Sequence, residues 1–183
     1  MRGCPMKVVF LVVIMLWSLS AVAQVPPGNS VDLPAFRVVI PGQVYRGGAP
    51  TAQGIRQLAQ HGIKTIVDLR LEDPMGSQNE KSLAESLGMK EFLVPINPFL
   101  TPSDQEIGYI ENQLLSNPSL RPIFVHCHYG EDRTGLVMAL FRVFKQNPAW
   151  MPQQAYNEWL ADGFHTKLVK LSDYYFAKTG WHP

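Results

Sequence analysis

One stretch of the chain gathers the residue types that handle phosphate: His126-Cys127-His128-Tyr129-Gly130-Glu131-Asp132-Arg133-Thr134-Gly135. Between Cys127 and Arg133 lie five residues, a length that wraps backbone N–H groups around one tetrahedral anion. Gly130 supplies a position open to positive φ. The residues after Arg133 read as a helix, whose N-terminus adds its positive dipole end. Each part has a task in nucleophilic attack on phosphorus. A thiol attacks as its thiolate, a form that positive surroundings favour. Arg133 offers a planar fork for two phosphoryl oxygens. Thr134 is expected to donate its hydroxyl to the sulfur and help the thiolate leave. His128, Tyr129, Gly130, Glu131, Asp132 and Arg133 form the phosphate-binding loop, and His126 orients it.

The elements that position this loop follow from the pattern of the remaining chain. Ile123-Phe124-Val125 is a buried-strand run that leads straight into His126-Cys127, and Thr134 to about Lys145 is the helix beyond. Lys64 to Leu69 and Glu91 to Ile96 are two further strands, and Phe36 to Ile40 is a short first one. Val44-Tyr45-Arg46 leads into a turn at Gly47-Gly48-Ala49-Pro50. Thr51 caps a helix to about His61, and Asn79 to Leu87 is a second, closed by Gly88. Ser103 and Glu106 form a capping box for a third, from Asp104 to Leu115. Pro152 to Asp162 and Lys167 to Ala177 are the last two. Strands alternating with helices predict an α/β fold, a central, mostly parallel sheet flanked by helices on both faces. Cys127 then leaves the carboxyl end of a strand, the edge where open α/β sheets bind ligands.

The N-terminus reads as an export signal over residues 1–23. Arg2 and Lys7 precede an apolar run from Val8 to Leu19, too short to span a bilayer comfortably. Ala21-Val22-Ala23 fits a cleavage site, so the mature chain begins at Gln24. Residues 24–34 then form a flexible lead-in, and 35–183 a single domain. The expected location is periplasmic or secreted, with no stable membrane insertion after cleavage. Losing Arg2 and Lys7 lowers Lys+Arg from 16 to 14 against 15 Asp+Glu, a formal charge of −1. That balance excludes the basic footprint of a nucleic-acid binder. Cys4 leaves too, so Cys127 has no disulfide partner within the chain.

The His-Cys-x5-Arg-Thr-Gly pattern resembles the protein tyrosine phosphatase superfamily. The likeness extends upstream through Val44 to Thr51 and Gly62 to Arg70, and there resembles small bacterial dual-specificity and phytase-like members. It implies a phosphomonoesterase working through a phosphocysteine intermediate, with Cys127, Arg133, Thr134 and an acid as catalytic residues. It calls for no cofactor and no metal. His126 and His128 form a His-x-His pair, but no further ligand sits at a matching spacing.

The family often places its general acid on a loop about thirty residues before the nucleophile. Here that loop is Ile96 to Asp104, and Asn97 stands at the expected position. Asp104 is one remaining candidate, although a first-turn helix acid explains it equally. Asp132 is the preferred one. Its Asp-Arg-Thr context resembles myotubularins and certain bacterial lipid-type phosphatases, which implies an acid within the loop itself. Its competing role is to cap the helix. Arg46 and Arg70 either brace the loop or meet substrate, and bracing is the preferred reading for Arg70.

Export and the phytase-like resemblance together imply a phosphorylated small-molecule substrate, inositol hexakisphosphate first. So anionic a substrate calls for a basic pocket, here built from Arg46, Arg70, His128 and one or two lysines. Phosphoproteins and phosphoinositide headgroups are the alternatives. A rhodanese-type sulfurtransferase is a more distant one, against which the Arg-Thr-Gly continuation argues.

Overall fold

The computed structural model describes residues 28–183. The expected export signal therefore lies outside the described residues, as does the start of the lead-in. No helix among the described residues is long and apolar enough to cross a membrane.

Five strands form one sheet: β1 (Arg37–Ile40), β2 (Val44–Gly47), β3 (Thr65–Asp68), β4 (Lys90–Leu93) and β5 (Ile123–His126). Their order across the sheet is β1-β2-β5-β3-β4, so the strand that carries the Cys127 loop has neighbours on both sides. β2, β5, β3 and β4 run parallel, and only the edge strand β1 is antiparallel. The mostly parallel sheet thus stands as expected. Val44–Gly47 is a strand, however, where the sequence reading led these residues into a turn.

Alternation along the strands sends side chains to two cores. Val44, Val67, Leu69, Ile123 and Val125 face one core, which they share with α4 (Asp132–Phe144), α5 (Pro152–Ala161) and α6 (Val169–Thr179). Tyr45, Ile66 and Phe124 face the other, closed by α1 (Ala52–Gln60) and α2 (Pro74–Ser86). Helices cover both faces, which is why these strands are apolar on both sides. α4 lies in the middle of its layer and is buried from Arg133 to Arg142. A helix enclosed all round loses amphipathicity, and its sequence reads as near-continuous apolar residues.

Three local expectations shift. α2 begins at Pro74 instead of Asn79, because Asp73 accepts the Gly76 N–H at 2.9 Å and Pro74 takes the first helical position. The helix after the Ser103–Glu106 capping box is α-helical only over α3 (Asp104–Gly108) and continues as a π-helix, Tyr109–Leu115. The described end of the lead-in is anchored, not flexible. Leu33 is fully buried against α1, and the Asp32 carbonyl and carboxylate accept from the Thr51 N–H and hydroxyl.

Gly135 shows why the motif ends in glycine. A Cβ there would lie 2.1 Å from Cδ1 of Trp159, a fully buried ring on α5. The indole N–H in turn donates to the Glu131 carbonyl at 3.1 Å. The absence of a side chain lets α5 approach α4 and steady the loop from behind.

Candidate active site

The register brings three strand ends together. Gly47 and Asp68 both pair with His126, so the residues after β2, β5 and β3 emerge side by side. Ala49 donates its N–H to the His128 carbonyl at 3.0 Å, and Leu69 donates to the His126 carbonyl at 2.9 Å. Cys127 sits at this junction, 2 % exposed. The Gly130 N–H donates to its sulfur at 3.3 Å.

Gly130 is required twice over. Its φ is +83°, and a Cβ would fall 2.4 Å from the Gly47 carbonyl carbon. The loop is therefore pressed onto the β2 exit, and a buried guanidinium secures it there. Arg46 donates Nη2–H to the Gly130 carbonyl and Nη1–H to Asp162 at 2.6 Å. Arg46 is a brace and does not line the cleft.

Arg133 opens α4 and is held by a partner outside the motif. The Glu72 carboxylate accepts from Nη1 and Nη2, both at 2.7 Å. That occupies the end-on edge of the guanidinium. Nε–H is buried without a partner. The side-on edge, Nε and the second proton of Nη2, thus remains to grip two oxygens of an anion. Burial opposes the Arg133 charge, but Glu72 and the neighbouring Cys127 outweigh it and raise its pKa. Arg133 in turn holds Glu72 down to about 2, so this pair is ionised at neutral pH.

Under the loop, on the α1/α2 face, lies a buried polar network. Arg70 donates to Asp68 at 2.7 Å and to Glu80 at 2.6 Å, and Ser77 donates to Asp68 at 2.5 Å. Arg70 is the brace the sequence suggested. His126 Nε2 is 2.9 Å from Glu80, and Nδ1 is 3.2 Å from the carbonyl of Cys127. Burial opposes charge on His126, yet Glu80 and Asp68 raise its pKa to about 9. As imidazolium the ring pairs by charge with Glu80 through Nε2, and Nδ1 can donate to the Cys127 carbonyl. Glu91 completes the group. Burial, then Glu80, pushes it up to about 8, so it is neutral at pH 7. The two cations Arg70 and His126 then balance Asp68 and Glu80.

Thr134 departs from expectation. It is fully buried, but its hydroxyl has no partner, and the sulfur receives Gly130 instead. Asp104 is far from the loop's work, bound to Tyr174 and Lys178. Asn97 does reach the site, where its Oδ1 accepts the Phe99 N–H at 2.9 Å and shapes the turn. Asp132 also reaches it and does not act as the helix cap. The N-cap of α4 is Glu131, whose side chain makes no capping bond. Asp132 Oδ1 instead accepts the backbone N–H of His165 at 2.8 Å.

The cleft above the loop has a volume of about 460 Å³. Its walls are Leu71, Glu72, Asn97, Pro98, Phe99, His128, Tyr129, Asp132, Arg133 and Leu168. Of the expected loop residues, His128, Tyr129, Asp132 and Arg133 face it, while Gly130 and Glu131 belong to the frame behind. Arg46, Arg70 and all lysines are absent from the walls, which corrects the expected basic pocket. His126 and His128 also part, one into the buried network and the other into the cleft. Glu72, Glu80, Asp162 and His165 escaped the sequence reading. The only available hint for Glu72 was its position soon after a strand end.

A buried thiol and an arginine at the two ends of one loop, at the exit of a parallel strand, define the cysteine-phosphatase class of site. Residues 37–167 match the model of the family described as DSP-PTPase phosphatase fused to NAD+ kinase, and the chain belongs to that family. Among curated relatives, NAD kinase 2 of the Arabidopsis thaliana chloroplast is 29% identical over 107 residues, which are 57% of this chain and 11% of that protein. Dual specificity protein phosphatase TpbA of Pseudomonas aeruginosa is 26% identical over 121 residues, 66% of this chain and 51% of TpbA. The chain thus spans about a tenth of the first relative and about half of the second. The fold is shared with the catalytic core of the PP-IP phosphatase Siw14 of S. cerevisiae. That match has a TM-score of 0.65 at 21% identity and covers 85% of this chain and 98% of the other. The crystal structure of P. aeruginosa TpbA matches with a TM-score of 0.62 at 22% identity, over 81% of this chain and 91% of that one.

Two outcomes are expected from this geometry. Glu72→Ala frees the Arg133 fork while keeping its charge, and a lost hydrogen bond to a charged group is worth about 1.5–3 kcal/mol. Phosphatase kcat/KM should fall roughly 10–100-fold; an unaltered kcat/KM contradicts the orienting role. The second concerns pH. His126 and Glu91 hold protons in the folded state beyond their ordinary values of 6.5 and 4.5. Their stabilisation is complete below those values and is lost as pH rises through about 8 for Glu91 and about 9 for His126. Urea unfolding should show stability dropping between neutral pH and pH 9, with a shallower drop in Glu91→Gln. A profile that stays level across this range counts against the network.

Proposed function

We propose that this chain is a cysteine-dependent phosphomonoesterase whose preferred substrates are aryl phosphates of the phosphotyrosine kind. The observation that carries the substrate class is the character of the cleft walls. Phe99 and Tyr129 stand 73% and 62% exposed, and Leu71, Pro98 and Leu168 complete an apolar surround. Its only basic wall residues are Arg133 and His128, and Glu72 already neutralises Arg133. One phosphate on an aromatic body suits such walls.

In the proposed reaction the Cys127 thiolate attacks phosphorus as Arg133 Nε and Nη2 hold two oxygens. The S–P bond forms, the P–O bond to the leaving group breaks, and Asp132 protonates the departing oxygen. Water then attacks the phosphocysteine, Asp132 takes its proton, and the S–P bond breaks to release phosphate and regenerate the Cys127 thiolate. The Gly130 N–H supports the sulfur in both steps. Thr134, whose buried hydroxyl makes no hydrogen bond in this structure, is assigned the same support once it turns to the sulfur.

A polyphosphorylated inositol ring is the second reading. Siw14 is described as a PP-IP phosphatase, and the likeness to it supports the shared fold. The cleft weighs against that substrate, because Arg46 and Arg70 are committed as braces. A TpbA variant, by contrast, has been crystallised in complex with phosphotyrosine. Residues 1–23 are further proposed to direct export and to be removed before Gln24.

Phosphotyrosine peptide and inositol hexakisphosphate assayed side by side decide the substrate. Apolar contacts discriminate by roughly 10–200-fold, and the peptide should lead by a kcat/KM ratio in that range. Faster phosphate release from inositol hexakisphosphate reverses the assignment. Cys127→Ser should abolish both activities. Mass spectrometry of the exported protein should find Gln24 at its N-terminus, and an intact Met1 refutes processing.

A further inference from the structure

Asp132 is not held by its own helix. His165, in the connection between α5 and α6, reaches it with two groups. The backbone N–H donates to Oδ1 at 2.8 Å, and ring Nδ1 lies 3.2 Å from both Oδ1 and Oδ2. The Asp132 carboxylate is largely shielded and lines the cleft, whereas most of the His165 ring faces solvent. One residue therefore looks toward the substrate and the other toward bulk water, with a bifurcated contact between them.

We infer that His165 is the proton-relay partner of Asp132, carrying protons between solvent and the cleft. This rests on the proposed role of Asp132 as general acid. A hydrogen bond donated to a carboxylate serves its ionised form, while proton donation needs the acid form. An adjacent ring that both donates to the carboxylate and exchanges with water reconciles these demands.

The proton count closes. Before the first step the pair holds one transferable proton. It moves from Nδ1 to Asp132, and from Asp132 to the leaving oxygen as the P–O bond breaks, and the exposed ring draws a replacement proton from solvent. In the second step water loses a proton to Asp132 as its oxygen bonds to phosphorus and the S–P bond breaks. That proton passes to the ring, the ring returns one to solvent, and the pair is restored. The other groups facing the relay are Glu131, whose Oε2 is 3.7 Å from Nδ1, and Arg133, which feels the Asp132 charge. Glu131, Asp132 and His165 also lie close enough together for a cation. The relay needs none.

The test separates proton delivery from positioning. His165→Asn keeps an amide donor near the place of Nδ1 but cannot pass a proton, and His165→Ala removes the ring while the backbone N–H stays. The readout is kcat/KM, which reports only the steps up to phosphocysteine formation. Phenyl phosphate has a poor leaving group and needs the acid; p-nitrophenyl phosphate has a good one and hardly does. Both variants should lose about 10²-fold on phenyl phosphate and far less on p-nitrophenyl phosphate. Added imidazole should restore part of the loss in His165→Ala. Wild-type kcat/KM of His165→Asn on phenyl phosphate overturns the relay, as do equal losses on both esters. Activity lost to a chelator also overturns it, by making the three residues a metal site. Failure of the underlying reading looks different: Asp132→Asn would then keep wild-type kcat/KM on phenyl phosphate. If Asp132→Asn is impaired and the His165 variants are not, the relay alone falls.

Discussion

The guanidinium of Arg46 is the constraint on which the site depends. It lies at the end of β2, almost wholly buried, between the Gly130 carbonyl and the carboxylate of Asp162. A charge so placed carries a large desolvation penalty, which lowers its pKa even with Asp162 opposing. That penalty is tolerable only while both partners are in place. Gly130 can present its carbonyl only with φ at +83° and no Cβ, and Asp162 arrives only if α5 packs on α4. Arg37 of β1 adds a second ion pair to Asp162 at 2.8 Å. Arg46 and Asp162 together thereby link the sheet edge, the loop and the end of α5.

This arrangement decides how the charges near the cleft are spent. Three arginines converge on the strand ends, and two of them act as internal struts. Arg70 is bound by Asp68 and Glu80, and Arg46 by Asp162 and the loop. Of the three only Arg133 lines the cleft, and Glu72 holds it so that its Nε–H is left without a partner. The loop is made rigid from beneath by His126, whose charge the network sustains and whose Nδ1 lies against the Cys127 carbonyl. Rigidity of this kind supports preorganisation, in which donors already point where charge will develop. Its consequence is a cleft with little free positive charge and walls of Phe99, Tyr129 and leucine.

The parts legible in the sequence were those governed by local pattern. The loop, the helix after it and the strand before it were read correctly, because Ile123 to Val125 is continuously apolar and Gly130 and Gly135 mark close approaches. The Thr51 and Ser103 caps were equally clear. Val44–Gly47 was missed as a strand because its four residues end in a glycine, run into a second one and include a charged residue, Arg46. Burial of that arginine, which made it a central-strand residue, depends on Asp162, 116 positions away. Asp73-Pro74 signalled the start of α2, but Gly76 and Ser77 behind it are weak helix formers and hid the signal. Glu72, Glu80 and His165 gain their roles only through the fold, since each meets a site residue from a different element.

The position of Asp132 ties these threads together. A general acid on a mobile loop must be brought to the substrate by closure, and Asn97 leaves the corresponding loop here without one. Asp132 instead occupies the first turn of α4, one residue before Arg133, on a helix buried along nearly its whole length. Cys127, Arg133 and the proposed acid Asp132 thus belong to one continuous segment of seven residues, 127–133. Their spacing is set by the same packing that fixes Gly130 against Gly47 and Trp159 against Gly135. The cost of such compactness is poor access to bulk water for the proposed acid. In the proposed relay the solvent-facing ring of His165, contributed by the connection after α5, meets that need without loosening the loop.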